Sequence, residues 1–148
     1  MGWETSAPIV VPIDFSGMSV KAVGEALKLA KSKTQLHAVH VVPTLDQIIP
    51  NIESEWNLPS DSDRRASVQK HFSTFLEEHN FTGLRTVILD GQPGPQIAEY
   101  AEEIGAGLIV IPSHGYHGMK RILLGSVAEK VVQLATCPVF IVRRQDAE

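Results

Sequence analysis

Short apolar, β-branched runs alternate along this chain with longer segments whose apolar residues recur at helical spacing. The pattern repeats four times and closes on a fifth apolar run. Pro8 to Ile13 reads as a buried strand, Asp14 to Ser19 as a loop with several possible N-cap residues, and Val20, Val23, Ala26, Leu27 and Ala30 give the helix after it an apolar face. Leu36 to Val42 is a second strand, ended by Pro43. Residues 44 to 60 lack periodicity and read as a surface excursion. Ser60 to Asp63 offers a cap and first-turn acids for a second helix with Val68, Phe72, Phe75 and Leu76 buried. Strand three is Leu84 to Leu89. Helix three carries Ile97, Ala98, Ala101 and Ile104, and Gly105 and Gly107 stop it. Strand four is Leu108 to Ile111, helix four runs from about Ser126 to Ala135, and strand five is Val139 to Val142.

Strands separated by helices are parallel and covered on both faces. The expected fold is therefore α/β: a doubly wound, five-stranded parallel sheet of Rossmann-like type. At 148 residues the whole chain, 1–148, is expected to be a single domain. In such sheets ligands bind outside the carboxyl ends of the strands, where the winding reverses. The loops after strands one and four carry the unusual chemistry. They flank one crevice if those two strands are neighbours.

Composition narrows the ligand. A net charge of −4 with no long basic tract argues against nucleic acid. No run approaches the roughly 20 apolar residues of a membrane span. The start of the chain does not read as a secretory leader, so a cytoplasmic location is expected. The one cysteine, Cys137, reads as a packing residue and not a nucleophile.

The stretch from Pro112 to Ser126 joins a buried strand to a helix start and contains Gly115, Gly118 and Gly125. Backbone N–H groups point outward at such a junction, and the helix dipole favours negative charge. A nucleotide is the first ligand to consider. Gly115 and Gly125 can bring backbone close to an anion because no Cβ intervenes. Ser126 either caps helix four or donates its hydroxyl to phosphate. Asp14, directly after strand one, either orients Mg²⁺ or a ribose hydroxyl or serves as a turn or cap residue. His114 and His117 lack a third ligand for a metal. His37 and His40 are expected to face helices. Lys120 and Arg121 either form a solvated face, the ordinary reading of such a pair, or reach a terminal phosphate. No nucleophile–base pair and no Gly-x4-Gly-Lys-Ser/Thr loop is present, so any hydrolysis is expected to be slow.

Three blocks together resemble the universal stress protein family: Val11-Pro12-Ile13-Asp14-Phe15-Ser16, His40-Val41-Val42, and Gly115-x9-Gly125-Ser126 with the helix and Cys137-Pro138-Val139 after it. The resemblance covers about residues 8 to 144. It implies an adenine nucleotide alpha hydrolase-like sheet of order 3-2-1-4-5. It also implies a homodimer paired through the last strand, Val139, Phe140, Ile141 and Val142, an apolar edge that invites such pairing. One branch of the family binds ATP or a related adenine nucleotide through Gly-x2-Gly-x9-Gly-Ser/Thr. On that pattern Pro12 and Ile13 line the nucleoside, Asp14 lies near the phosphates or their Mg²⁺, and Val41 offers main-chain bonds to adenine. His114 and Gly115 approach ribose and phosphates, and Gly125, Ser126 and Val127 cradle the phosphates.

Two positions depart from the pattern. Pro112 stands where the first glycine falls, and Ala128 where some members carry a hydroxyl. Each lost hydrogen bond is worth about 1 kcal/mol, so affinity is expected to fall about ten- to a hundredfold without vanishing. The leading expectation is an adenine-nucleotide-binding, homodimeric stress regulator whose loop surface is read by a regulatory protein partner. The alternatives are an interaction module with a degenerate site and a weak ATP hydrolase.

Overall fold

The computed structural model describes residues 6–44, 60–114 and 124–143. The elements run β1 (Ile9–Pro12), α1 (Gly17–Leu29), β2 (Leu36–Val42), α2 (Asp61–Glu78), β3 (Arg85–Asp90), α3 (Pro93–Glu103), β4 (Leu108–Pro112), α4 (Ser126–Leu134) and β5 (Val139–Val142). All pairings are parallel, in the order β3-β2-β1-β4-β5. This is the expected doubly wound sheet, with β1 and β4 adjacent. The excursion expected between residues 44 and 60 lies almost wholly outside the described residues.

Two apolar layers hold the sheet. On one face Ile9, Val11, Leu36 and Val110 pack with Val23 and Ala26 of α1 and Phe72 and Phe75 of α2. On the other, Val10, Val39, Ile109 and Ile111 pack with Ile97 and Ala101 of α3 and Ala128 and Val131 of α4. β1 and β4 are apolar throughout because each face meets a helix. Helix α2 begins at a full capping box, in which Ser60 Oγ accepts from Asp63 N and Asp63 accepts from Ser60 N. Helix α3 starts with Pro93 and ends before Gly105, whose φ of 65° suits glycine. Helices α3 and α4 approach closely at Gly94, where a Cβ would sit 2.6 Å from Lys130 Cβ. That contact fixes where α4 starts relative to the sheet.

The β1–β4 ladder is short: its partners are Ile9 with Leu108 and Val10 with Ile109. Parallel strands turn alternate residues toward alternate neighbours. Ile13 N donates to Val39 O on the β2 side, and Ser113 N donates to Val142 O on the β5 side. The main chains of Pro12 and Pro112 therefore both turn toward the β1–β4 gap. Neither has an N–H to donate, and the strands part there.

Candidate functional site

A cavity of about 370 Å³ opens where β1 and β4 part. Its size falls within the roughly 300–1,000 Å³ of small-molecule sites. The sequence-chosen residues converge on it: Pro12, Ile13 and Asp14 from the end of β1, Val41 from β2, Pro112 and His114 from the end of β4, and Gly125, Ser126, Val127 and Ala128 at the start of α4. Gly115 lies outside the described residues, as do His117, Lys120 and Arg121. The apolar wall is completed by Val39, Ile97, Ile111 and Pro93. These residues carry no chemical signature, and sequence inspection had no reason to separate them from the core.

The two halves of the cleft differ in chemistry. Around Val41 it is apolar, with one exposed strip of main chain. Val39 O faces β1, and Val42 O accepts from Gly91 N on the β3 side. The N–H and C=O of Val41 thus face the β1 side, beyond the last residue of β1. A planar ligand carrying a donor and an acceptor on one edge can pair there.

The other half is a helix start. Gly125 is the N-cap of α4 and supplies no side-chain cap. Glu129 N is the first amide to bond back, to Gly125 O at 2.9 Å. The N–H groups of Ser126, Val127 and Ala128 have no hydrogen-bond partner in α4 or among the other described residues. Their residues line the cleft, and a helix start of this kind attracts anions. Ser126 is the first helical residue and not the cap, which removes the capping role as the explanation for it. Gly125 also has a structural role. Its N–H donates to Ser113 O at 2.6 Å, and a Cβ there would lie 3.2 Å from that same oxygen. Its lack of a side chain lets α4 approach the loop after β4.

Asp14 sits between the halves. Its Oδ1 accepts from Ser16 N at 2.9 Å and from Ser19 Oγ at 2.7 Å. Ser19 is fully buried and also lines the cleft, whereas the sequence offered it only as one of several possible caps in the loop before α1. The cap of α1 is Ser16, whose Oγ accepts from Ser19 N. Asp14 is thus a turn residue through one oxygen, with the second oxygen uncommitted among the described residues.

Of the two histidines on β2, His40 borders the cleft and His37 does not. His37 faces a helix as expected, with Nδ1 2.7 Å from the Tyr100 hydroxyl of α3. His40 packs on Phe72 of α2 but also borders the cleft. Its Nδ1 lies 2.6 Å from Ile13 O, which makes Nδ1 the protonated nitrogen, and its ring stacks 4.9 Å from Phe15. Burial holds the His40 imidazole below its ordinary pKa, against the Ile13 carbonyl and Asp14, which favour the cation; His71 acts in the same direction as burial. His114 Nδ1 pairs with Ser113 Oγ at 3.1 Å, while its Nε2 is shielded from solvent and has no partner among the described residues. No cluster of three or more metal-ligating side chains occurs among the described residues.

A doubly wound sheet whose cleft lies outside the carboxyl ends of β1 and β4 defines a Rossmann-like α/β protein. Residues 6–143 match the Universal stress protein family, and the chain belongs to that family. It is 35% identical over 143 residues to Universal stress protein MJ0531 of Methanocaldococcus jannaschii, across 95% of this chain and 84% of that protein. Its fold is similar to that of the solved protein MJ0577 from the same organism, with a TM-score of 0.75 at 24% identity over 97% of this chain and 100% of that one. It is also similar to the universal stress protein from Archaeoglobus fulgidus solved in complex with dAMP, with a TM-score of 0.61 at 23% identity over 91% and 96% of the two chains. Among the described residues no helix is long and apolar enough to cross a membrane.

Proposed function

We propose that this chain binds an adenine nucleotide, ATP or a close relative, in the β1–β4 cleft, and that binding sets the state of a homodimeric, cytoplasmic stress regulator built as one domain over residues 1–148. The observation that carries the reading is the pairing of two chemistries in one cavity. Apolar walls and the Val41 main chain stand at one end, and the N–H groups of Ser126, Val127 and Ala128 stand at the other. A flat base with a donor–acceptor edge, joined to a charged tail, matches both. The dAMP held by the A. fulgidus protein has that chemistry.

In this reading adenine lies between Val39, Val41 and Ile97 and pairs with the Val41 main chain. Pro12 and Ile13 border the ribose, and His114 and Gly115 flank ribose and phosphates. The phosphates rest on the start of α4, with the Ser126 hydroxyl as an added donor and Gly125 holding that start in place. A divalent cation fits as a companion of the phosphates and not as a resident metal, because Asp14 brings one uncommitted carboxylate oxygen. Mg²⁺ is commonly held by one or two carboxylates, phosphate oxygens and water. Ala128 is 2% exposed and packed into the core, so it contributes its N–H alone. A regulatory partner would read the segment from Ser113 to Leu124, which borders the cleft at both ends.

The dimer reading rests on β5. Phe140 of β5 and Val132 and Leu134 of α4 are 42%, 46% and 45% exposed, the large apolar residues left uncovered among those described. A second copy paired along β5 would cover apolar surface of this kind.

Isothermal titration of the full chain with ATP, ADP and AMP in millimolar Mg²⁺, alongside mass analysis of small molecules released on denaturation, tests the reading. Saturable heat from an adenylate, or a co-purified adenylate, is expected. An empty protein with no heat at millimolar adenylate would refute it.

A further inference from the structure

The orientation of the Asp14 carboxylate is fixed by a neighbour that no sequence pattern singled out. Ser19 Oγ donates to Asp14 Oδ1 at 2.7 Å and accepts from Asp14 N at 2.9 Å. One fully buried hydroxyl thus clasps a single residue at both its backbone and its side chain. Ser16 N gives Oδ1 a second bond at 2.9 Å, and two donors on one oxygen fix the plane of the carboxylate. The loop beneath is itself pinned. Phe15 holds a φ of 65°, a conformation unfavourable for a bulky side chain, with its ring 4.9 Å from His40 and 5.2 Å from Phe72. With the backbone anchored, the remaining freedom is the Asp14 side chain, and Ser19 removes it.

We propose that Ser19 is a positioning residue for cation-assisted nucleotide binding, holding Asp14 so that Oδ2 alone meets a divalent cation carried by the phosphates. The inference rests on the nucleotide reading above. A carboxylate beside a bare polyphosphate repels it, whereas one bridged by a cation attracts it. The orientation of Asp14 therefore sets how strongly the cleft distinguishes metal-loaded from metal-free nucleotide. With Oδ1 committed, Asp14 offers one oxygen, which suits the largely hydrated Mg²⁺ better than the two-oxygen grip Ca²⁺ often takes.

The test is calorimetric titration of the full chain with ATP in excess Mg²⁺ and again in EDTA, for wild type, Ser19→Ala, Asp14→Ala and the double variant, with melting curves for each. Wild type is expected to bind about tenfold or more tighter with Mg²⁺. Ser19→Ala should lose most of that ratio, and on the Asp14→Ala background it should change the ratio no further. Ser19→Thr, which keeps the hydroxyl, should restore it. Ser19→Cys, nearly isosteric with a weak donor, makes the same measurement if the alanine variant does not fold. Equal weakening with and without Mg²⁺ would make Ser19 merely structural and overturn the proposal. So would a wild-type protein indifferent to Mg²⁺. Absence of ATP binding by wild type in both buffers would instead overturn the nucleotide reading itself.

Discussion

A methyl group at Gly125 would sit 3.2 Å from the Ser113 carbonyl oxygen, closer than a carbon and an oxygen pack without strain. The backbone there has φ −70°, so conformation does not forbid alanine and only space does. Gly125→Ala is expected to push the start of α4 outward by a few tenths of an ångström, costing about 1 kcal/mol of stability. Adenylate affinity should fall about fivefold as the α4 amides move. Urea unfolding and titration calorimetry measure the two effects; unchanged affinity would detach Gly125 from the site. The chemistry of single residues was unevenly legible in the sequence. Asp14 stood out because a carboxylate ends an apolar strand. Ser19 did not, because a serine before a helix reads as a cap until its partner is seen. Pro112 read as a donor lost from a loop. It is in fact the last residue of β4, its main chain turned to the gap where the β1–β4 ladder stops. His40 was expected to face a helix, and it does, but its contact with Ile13 O joins elements 27 residues apart.

The bounds of the strands were legible to different degrees. β2 and β5 fall at the bounds that their apolar runs predict. β1 is shorter than its run at both ends, with Ile13 continuing only through one bond to Val39 O. β3 is displaced by one residue, from Leu84–Leu89 to Arg85–Asp90, because it is an edge strand held on one side and its limits follow its partner β2. The start of α2 was legible through its cap at Ser60, whereas α1 begins at Gly17, inside the stretch read as a loop, with Ser16 as the cap among the several candidates there. The start of α4 falls at Ser126, where the sequence put it, although its cap is a glycine with no side chain to mark it. At β5 the main chain itself makes a prediction. Pro138 O and Val142 O face β4, accepting from Ile109 N and Ser113 N. By alternation Val139 and Ile141 turn their N–H and C=O to the open edge. Ile141→Pro removes an outward donor without breaking a β4–β5 bond. Light scattering is expected to show a dimer for wild type and a monomer for the variant, and a dimer in both would exclude this edge as the interface.

The molecule as a whole should lose stability in mild acid. Burial keeps His40 neutral in the fold, and burial together with Arg85 does the same for His37. Both have folded pKa values below the ordinary 6.5. The unfolded chain then binds more protons as pH falls below 6.5, so their contribution is complete above that pH and declines beneath it. Urea midpoints should be flat from pH 8 to about 7 and fall from about 6.5 to 5. His40→Gln should flatten that fall, and an unaltered slope would show that His40 is not its source. The same linkage makes nucleotide a stabiliser, worth about 2.7 kcal/mol at a hundred times Kd. The fold was readable in the sequence because alternating periodicities leave few topologies. The cleft was readable only at its two loops, since its apolar walls look like core. A crystal structure of the chain grown with Mg-ATP examines the central claim most directly. The account predicts adenine against the Val41 main chain, with phosphate oxygens on the N–H groups of Ser126, Val127 and Ala128. A cleft filled by the protein's own side chains, or a nucleotide bound elsewhere, would contradict it.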